Sequence, residues 1–392
     1  MRQPTLCGGF VAASVAVVVI THLMLAVLAA TASMAETFPA DLTPLRFEDL
    51  EGWATDDHAA ALKAFRRTCT RAVEHPPRTR PAGMDSQALV AICARLLAGE
   101  PNSARNFFEE HFMPYRVEAP GLLTGYFEPQ LEASFTRTAR FQYPLHARPT
   151  DLVELSGPAS RFGITQDVTW GRATESGFEA FFDRGEIMAG ALDRQGLELV
   201  YLESPIDAFF THIQGSARLA MTDGSVQRVN FAGKTGHVYT PIGRTLVEMG
   251  ELALEDVTMT SLRDWLERAN PEDRDTVLAT NRSYIFFAIA EDTEPEAGPV
   301  AAAGVPLTPG RSLAVDRHLH TFGSPVFVSS QEALPGESDK FTRLMIAQDT
   351  GSAIVGPARG DIFIGSGKEA GEIAGQVNQP VTFTLLLPRI DG

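Results

Sequence analysis

The chain has 392 residues and a net charge of −16, from 33 Lys and Arg against 49 Asp and Glu. This length suits two to three domains, and 44% hydrophobic with 21% charged residues excludes a disordered chain. The acidic balance excludes nucleic acid as the main partner, because phosphate binding needs a basic footprint.

Arg2 is the one fully charged side chain before Glu36. Residues 10–30 are nearly all apolar, broken by Ser14, Thr21 and His22, and Ser33-Met34-Ala35 places small residues at the −3 and −1 positions of a cleavage site. The pattern predicts a secretory signal peptide over residues 1–35. An uncleaved anchor is the alternative, since the apolar run is long enough to span a bilayer. Cys7 precedes the apolar core, so no lipid-attachment cysteine is expected. Cleavage leaves Cys69 and Cys93, which suit one disulfide in an exported protein or, alternatively, two buried thiols on neighbouring helices. Two cysteines and the lack of an HExxH motif point to no metal or other cofactor.

Residues 44–115 read as helical. Ala59 to Ala72 and Ser86 to Ala98 carry apolar residues at three- and four-residue spacing, separated by a loop at His75-Pro76-Pro77 and Arg80-Pro81. From Leu122 the texture changes to short strands and turns. Residues 164–242 read as β-rich, with strands at Leu199 to Leu202 and Val226 to Phe231 and a hairpin turn at Thr222-Asp223-Gly224-Ser225. Thr258 to Ala269 reads as a helix with Thr260 as its cap. Residues 292–304 read as a surface loop. Strands follow at Val326 to Val328, Leu344 to Gln348, Ile362 to Ile364 and Val381 to Leu387. Gly (33) and Pro (25) favour this turn-rich β texture over a helical bundle.

Three aspartates, Asp316, Asp349 and Asp361, sit at predicted strand ends. A carboxyl held there is rigid and still faces a cleft; partly desolvated, it can act as a general acid. An aspartate beside glycine also commonly does no more than cap a turn.

The segment 307–316 (LTPGRSLAVD) resembles the first signature of the three-aspartate, or 3D, domain. Ala347-Gln348-Asp349-Thr350-Gly351 resembles the second, and Arg359-Gly360-Asp361-Ile362-Phe363-Ile364-Gly365 with Glu369-Ala370-Gly371 the third. Upstream, Thr124-Gly125-Tyr126-Phe127-Glu128-Pro129, the segment 209–216 (FFTHIQGS), Ala232-Gly233-Lys234-Thr235-Gly236 and the segment 281–287 (NRSYIFF) look like motifs of the membrane-bound lytic murein transglycosylase A family, in the family's order. The resemblance covers roughly residues 120–390.

The resemblance implies a mainly β fold with N-terminal helices: a 3D-type double-psi β-barrel, a smaller inserted β domain and a glycan groove between them. The divisions are then residues 36–130 as the helical part of the first domain, 131–245 as the insert, and 246–392 as a helix and the barrel. It implies cleavage of the β-1,4 bond between N-acetylmuramic acid and N-acetylglucosamine in peptidoglycan, with a 1,6-anhydro product and a role in wall turnover and recycling. One carboxyl acts as acid and then as base. The family's usual assignment maps to Asp361, with Asp349 as partner. Asp316, Tyr126, Glu128, Gln214, Ser216 and Lys234 are the expected substrate-binding residues; Asp316 has a structural reading, and Tyr126 could stack on a sugar. His212, His318 and His320 are not expected to be catalytic. The partners expected are glycan strands and wall-synthesis complexes, the state a monomer, and the location the periplasm. Ala217, Ser352 and the run His318 to Phe322 depart from the family pattern. A water-using glycosidase, with Glu128 as second carboxylate, and a non-catalytic wall-binding protein are the rival readings.

Overall fold

The computed structural model describes residues 37–290 and 298–389. The segment read as a signal peptide, with Cys7, and part of the 292–304 loop lie outside the described residues.

After strand β1 (Leu42–Pro44) come three helices, each started by a side chain that accepts from exposed backbone N–H groups. Asp57 caps α1 (His58–Ala72), Asp85 caps α2 (Ser86–Ala98) and Ser103 caps α3 (Ala104–His111). The apolar faces of these helices bury Phe65, Leu89 and Phe108 against Phe327, Leu344 and Ile346. Cys69 and Cys93 form a disulfide between α1 and α2, which decides between the two readings of the pair. The expected helical stretch to residue 115 ends early, because Phe112 begins strand β2 (Phe112–Val117). Around Phe47 and Trp53 the chain makes two short 3-10 turns.

Strand β3 (Gly121–Glu128) then leads across Pro129 into a second body. This body contains β4 (Gln130–Ser134), β5 (Tyr143–His146), β6 (Leu152–Glu154), β7 (Trp170–Thr174), β8 (Gly177–Glu179), α4 (Arg184–Met188), β9 (Glu198–Leu202), α5 (Pro205–Gln214), β10 (Ser216–Met221) and β11 (Val226–Lys234). It continues through α6 (Ile242–Glu248), α7 (Met259–Arg268), α8 (Pro271–Thr280) and β12 (Ile285–Ile289). The run 164–242, read as β-rich, holds helices α4 and α5 and the start of α6. The cap of α7 is Thr258, paired with Ser261 in a capping box, not Thr260. The chain returns through β13 (Ser312–Val315), β14 (Pro325–Ser329), β15 (Thr342–Asp349), β16 (Arg359–Ser366), α9 (Lys368–Ala374) and β17 (Asn378–Pro388).

The first sheet runs β1-β2-β17-β14-β15-β13-β16-β3, and β17 pairs with β3 as well, so six of its strands close a circuit of pairings. Leu313, Val315, Met345, Ala347, Ile362 and Phe383 fill its inner face. The second sheet runs β12-β11-β10-β4-β9-β5, and β6-β7-β8 form a third. Residues α5 to α8 pack together around Phe209, Phe210, Leu246 and Leu278. A break at 245/246 would fall inside α6. Among the described residues no helix is long and apolar enough to cross a membrane.

Candidate active site

Two strands of the first sheet carry Asp349 and Asp361, and β13 and β3 lie beside them. Ala314 on β13 is the register partner of Asp361 on β16 and of Asp349 on β15, while Asp361 is also paired with Thr124 on β3. Cross-strand partners share a face, so Asp349, Ala314, Asp361 and Thr124 form a row. Leu313 and Val315 point to the inner core, which places the row on the opposite, outer face.

Asp349 reaches that face through an irregularity. By alternation it would follow Met345 and Ala347 into the core. The register steps between the pairs Leu313–Ala347 and Ala314–Asp349, skipping Gln348. Such a bulge re-aims the next side chain. The intervening Gln348 is buried, and its Nε2 donates to Ala64 O (2.9 Å) and Thr68 Oγ1 (2.8 Å) of α1.

Both carboxyls are half-buried and held by donors. Thr124 Oγ1 donates to Asp361 Oδ1 at 2.7 Å, and Arg359 Nη2 donates to Thr124 Oγ1 at 2.8 Å. Tyr126 OH donates to Asp349 Oδ2 at 2.9 Å, and the Ala302 amide donates to Oδ1 at 3.1 Å. Burial pushes the Asp361 pKa up to about 6, against the opposing pull of Thr124 and Arg359 and with the help of Asp349. Burial also raises Asp349, less than it would without its Ala302, Thr350 and Tyr126 donors. Asp361 is thus a carboxyl that holds a proton near pH 6 and is still open on one side, which is what a general acid needs.

The other predicted residues take varied places. Tyr126 packs on Phe363 with ring centroids 5.4 Å apart and spends its hydroxyl on Asp349. Glu128 has no exposed surface: Arg228 donates to it at 2.5 and 3.1 Å and Ser366 Oγ at 2.6 Å, with Arg218 at 3.7 Å. Its carboxylate joins β3 and β16 to the second sheet and does not face a cleft. Gln214 ends α5, and its Oε1 accepts from the Phe127 amide at 3.2 Å. Ser216 is buried at the start of β10, opposite Asn230. Lys234 Nζ donates to Ser352 Oγ at 3.2 Å, in the loop after Asp349. Asp316 is buried and accepts from the His318 and Gly356 amides, both at 2.9 Å, so it ties two loops together. Thr124 and Arg359 received no role from the sequence. The signal for Thr124 was its place two residues before Tyr126 on one strand, which puts both on one face.

Helix α9 completes the site from behind. It lies so close to β3 that a Cβ on Gly125 would stand 3.0 Å from the Ala374 backbone.

The aspartate row and the second sheet strung between β3 and β13 define a 3D-domain protein with a large insert. Residues 122–288 match the MltA specific insert domain and residues 311–387 the 3D domain. The crystal structure of membrane-bound lytic murein transglycosylase from Agrobacterium tumefaciens is 42% identical, covering 89% of this chain and 98% of that one, with a TM-score of 0.81. The chain belongs to the membrane-bound lytic murein transglycosylase A family. The Escherichia coli K12 protein of that name is 33% identical over 261 residues, 65% of this chain; the match spans 62% of the relative's length, under two-thirds of it. The Escherichia coli MltA structure with bound chitohexaose is 26% identical, covers 91% of this chain and 93% of that one, and has a TM-score of 0.61.

Proposed function

We propose that this protein is a peptidoglycan lytic transglycosylase. The observation that carries the reading is Asp361, a half-buried carboxyl with its pKa raised to about 6, held by Thr124 beside Asp349. A protonated Asp361 gives its proton to the oxygen between N-acetylmuramic acid and N-acetylglucosamine as that bond breaks. The resulting carboxylate takes the proton from the muramic acid C6 hydroxyl, whose oxygen bonds to C1. No water is consumed, and the acid is regenerated. A hydrolase needs a second carboxyl to activate water or to bond to the sugar. The intramolecular hydroxyl replaces it and gains from proximity. The ion-paired, enclosed Glu128 disfavours the hydrolytic alternative.

Asp349 tunes Asp361 and, through Tyr126, ties β3 to the end of β15. The glycan lies over the aspartate row, in a groove between the outer face of the first sheet and the insert, with Lys234 and Gln214 on the insert side. Chitohexaose bound to the Escherichia coli relative supports an oligosaccharide ligand. The closed circuit of six strands favours the double-psi β-barrel reading, and the sheet memberships favour an insert running from about 130 to 289. The disulfide supports an exported, periplasmic protein acting in wall turnover and recycling.

The test is mass spectrometry of muropeptides released from purified peptidoglycan. The expected products are one water lighter than hydrolysed ones, and Asp361→Asn lowers their release by about 10²- to 10⁴-fold. Reducing-end products would identify a hydrolase. Binding to sacculi without release would identify a wall-binding protein.

A further inference from the structure

The insert contains a cavity of about 420 Å³ walled by α4, α5 and residues of β5 and β9, apart from the aspartate row. That size suits a small ligand. Arg184, His146, His212 and Tyr284 line it.

Arg184 is 3% exposed. Its Nε donates to Asn281 O at 3.0 Å, its Nη2 to Ser283 O at 2.7 Å and its Nη1 to His212 Nδ1 at 3.2 Å. The guanidinium lies over the Phe209 and Tyr284 rings, 4.7 and 5.2 Å from their centroids. These contacts fix the side chain, and all are neutral. Among the described residues Arg184 has no carboxylate within ion-pair distance. Burial lowers its pKa to about 10, which leaves it charged at neutral pH. A buried cation calls for an anion.

His212 backs this cation. A guanidinium only donates, so His212 Nδ1 accepts and the ring proton sits on Nε2. Burial and the Arg184 charge hold the ring neutral. Nε2 is buried and has no hydrogen-bond partner among the described residues. One cavity wall therefore holds a cation without an anion, and packed behind it against Tyr284, with ring centroids 4.1 Å apart, a ring N–H with no open surface.

We propose that this cavity is a second binding site, which takes a ligand presenting a carboxylate to Arg184, with His212 as the neutral group that holds the guanidinium in place. Asp193 and Glu198 also line the cavity, while Asp275 there is paired with Arg274 at 2.9 Å, so the ligand carries an amine besides its acid, as a short peptide does. Its source is either the peptide branches of the proposed wall substrate or a free peptide. The site does not depend on the proposed function; only the first source does. Helix α5 links the two regions, with His212 against the cavity and Gln214 against the Phe127 amide beside Tyr126.

The test uses the full chain and D-alanyl-D-alanine as probe, with its C-terminal amide and inorganic phosphate as controls. The readouts are titration calorimetry and the His212 ring signal in ¹H–¹⁵N NMR. The dipeptide is expected to shift the signal saturably and to bind at least about tenfold more tightly than the amide or phosphate. Arg184→Met is expected to abolish this binding. Should that variant not fold, the acid-to-amide comparison on the unaltered protein decides alone. No saturable shift up to about 50 mM, or equal binding of amide or phosphate, overturns the proposal. Glycan strands with and without their peptides, titrated into Asp361→Asn, separate the sources. Tighter binding of peptide-bearing strands, lost with Arg184→Met, identifies the polymer; equal binding identifies a free peptide. Dipeptide binding without any glycan release would retire the proposed function and leave this site standing.

Discussion

Asp361 titrates among three named neighbours in a partly dry setting. Desolvation raises its pKa, Thr124 and Arg359 lower it, and Asp349 raises it. If its protonated form starts the reaction, kcat/KM falls on the alkaline side with a midpoint near the wild-type value of about 6. Arg359→Gln removes a cation that favours the carboxylate, so the midpoint moves to higher pH. Asp349→Asn removes a like charge that disfavours it, so the midpoint moves to lower pH. Muropeptide release measured across pH checks both. Shifts in the same direction for the two variants would exclude Asp361 as the titrating acid. Thr124 links Arg359 to the carboxyl, and no composition or spacing argument could have supplied that link. It arises where β3 and β16, 237 residues apart at Thr124 and Asp361, run parallel in register.

Elements decide where these side chains point. On β15, Leu344 and Ile346 face the helices while Met345 and Ala347 face the inner core. The step at Gln348 then turns Asp349 outward. Period-two patterning predicts the strand and mispredicts that one side chain, because a one-residue slip exchanges faces. Glu128 shows the same limit. In sequence it is a carboxylate beside a motif aromatic; in the fold it is a buried ion-pair partner where one sheet hands the chain to the next. Glu128→Ala breaks that pair and is expected to cost about 3–5 kcal/mol in urea unfolding. The folded fraction is expected to release the same anhydro products. Undiminished stability would contradict the structural role, and a change of product type would restore Glu128 to the chemistry.

At the scale of the molecule, the insert returns to the first body near the aspartates. Lys234 on β11 meets Ser352, at a position where the family more often has glycine. Burial and the nearby Arg317 lower the Lys234 pKa. Lys234→Met is expected to raise KM for glycan strands about tenfold with an unmoved pH midpoint, as the loss of one charge-assisted hydrogen bond would. A fall in kcat with unchanged KM would instead place Lys234 in the chemical step.

The sequence by itself determined the family, the β-rich texture after Leu122, helices α1, α2 and α7, and it singled out Asp349 and Asp361, which the fold sets in one row. Those features are carried by local periodicity and by short motifs, which survive without knowledge of contacts. Only the tertiary structure decided that Cys69 and Cys93 are joined, that the Gly356 amide holds Asp316, and that Arg228 and Ser366 hold Glu128. It alone brought Arg184 and His212 to one cavity wall. Each of these depends on pairings between residues tens to hundreds of positions apart, and on one register step within a strand, neither of which leaves a periodic trace in the sequence.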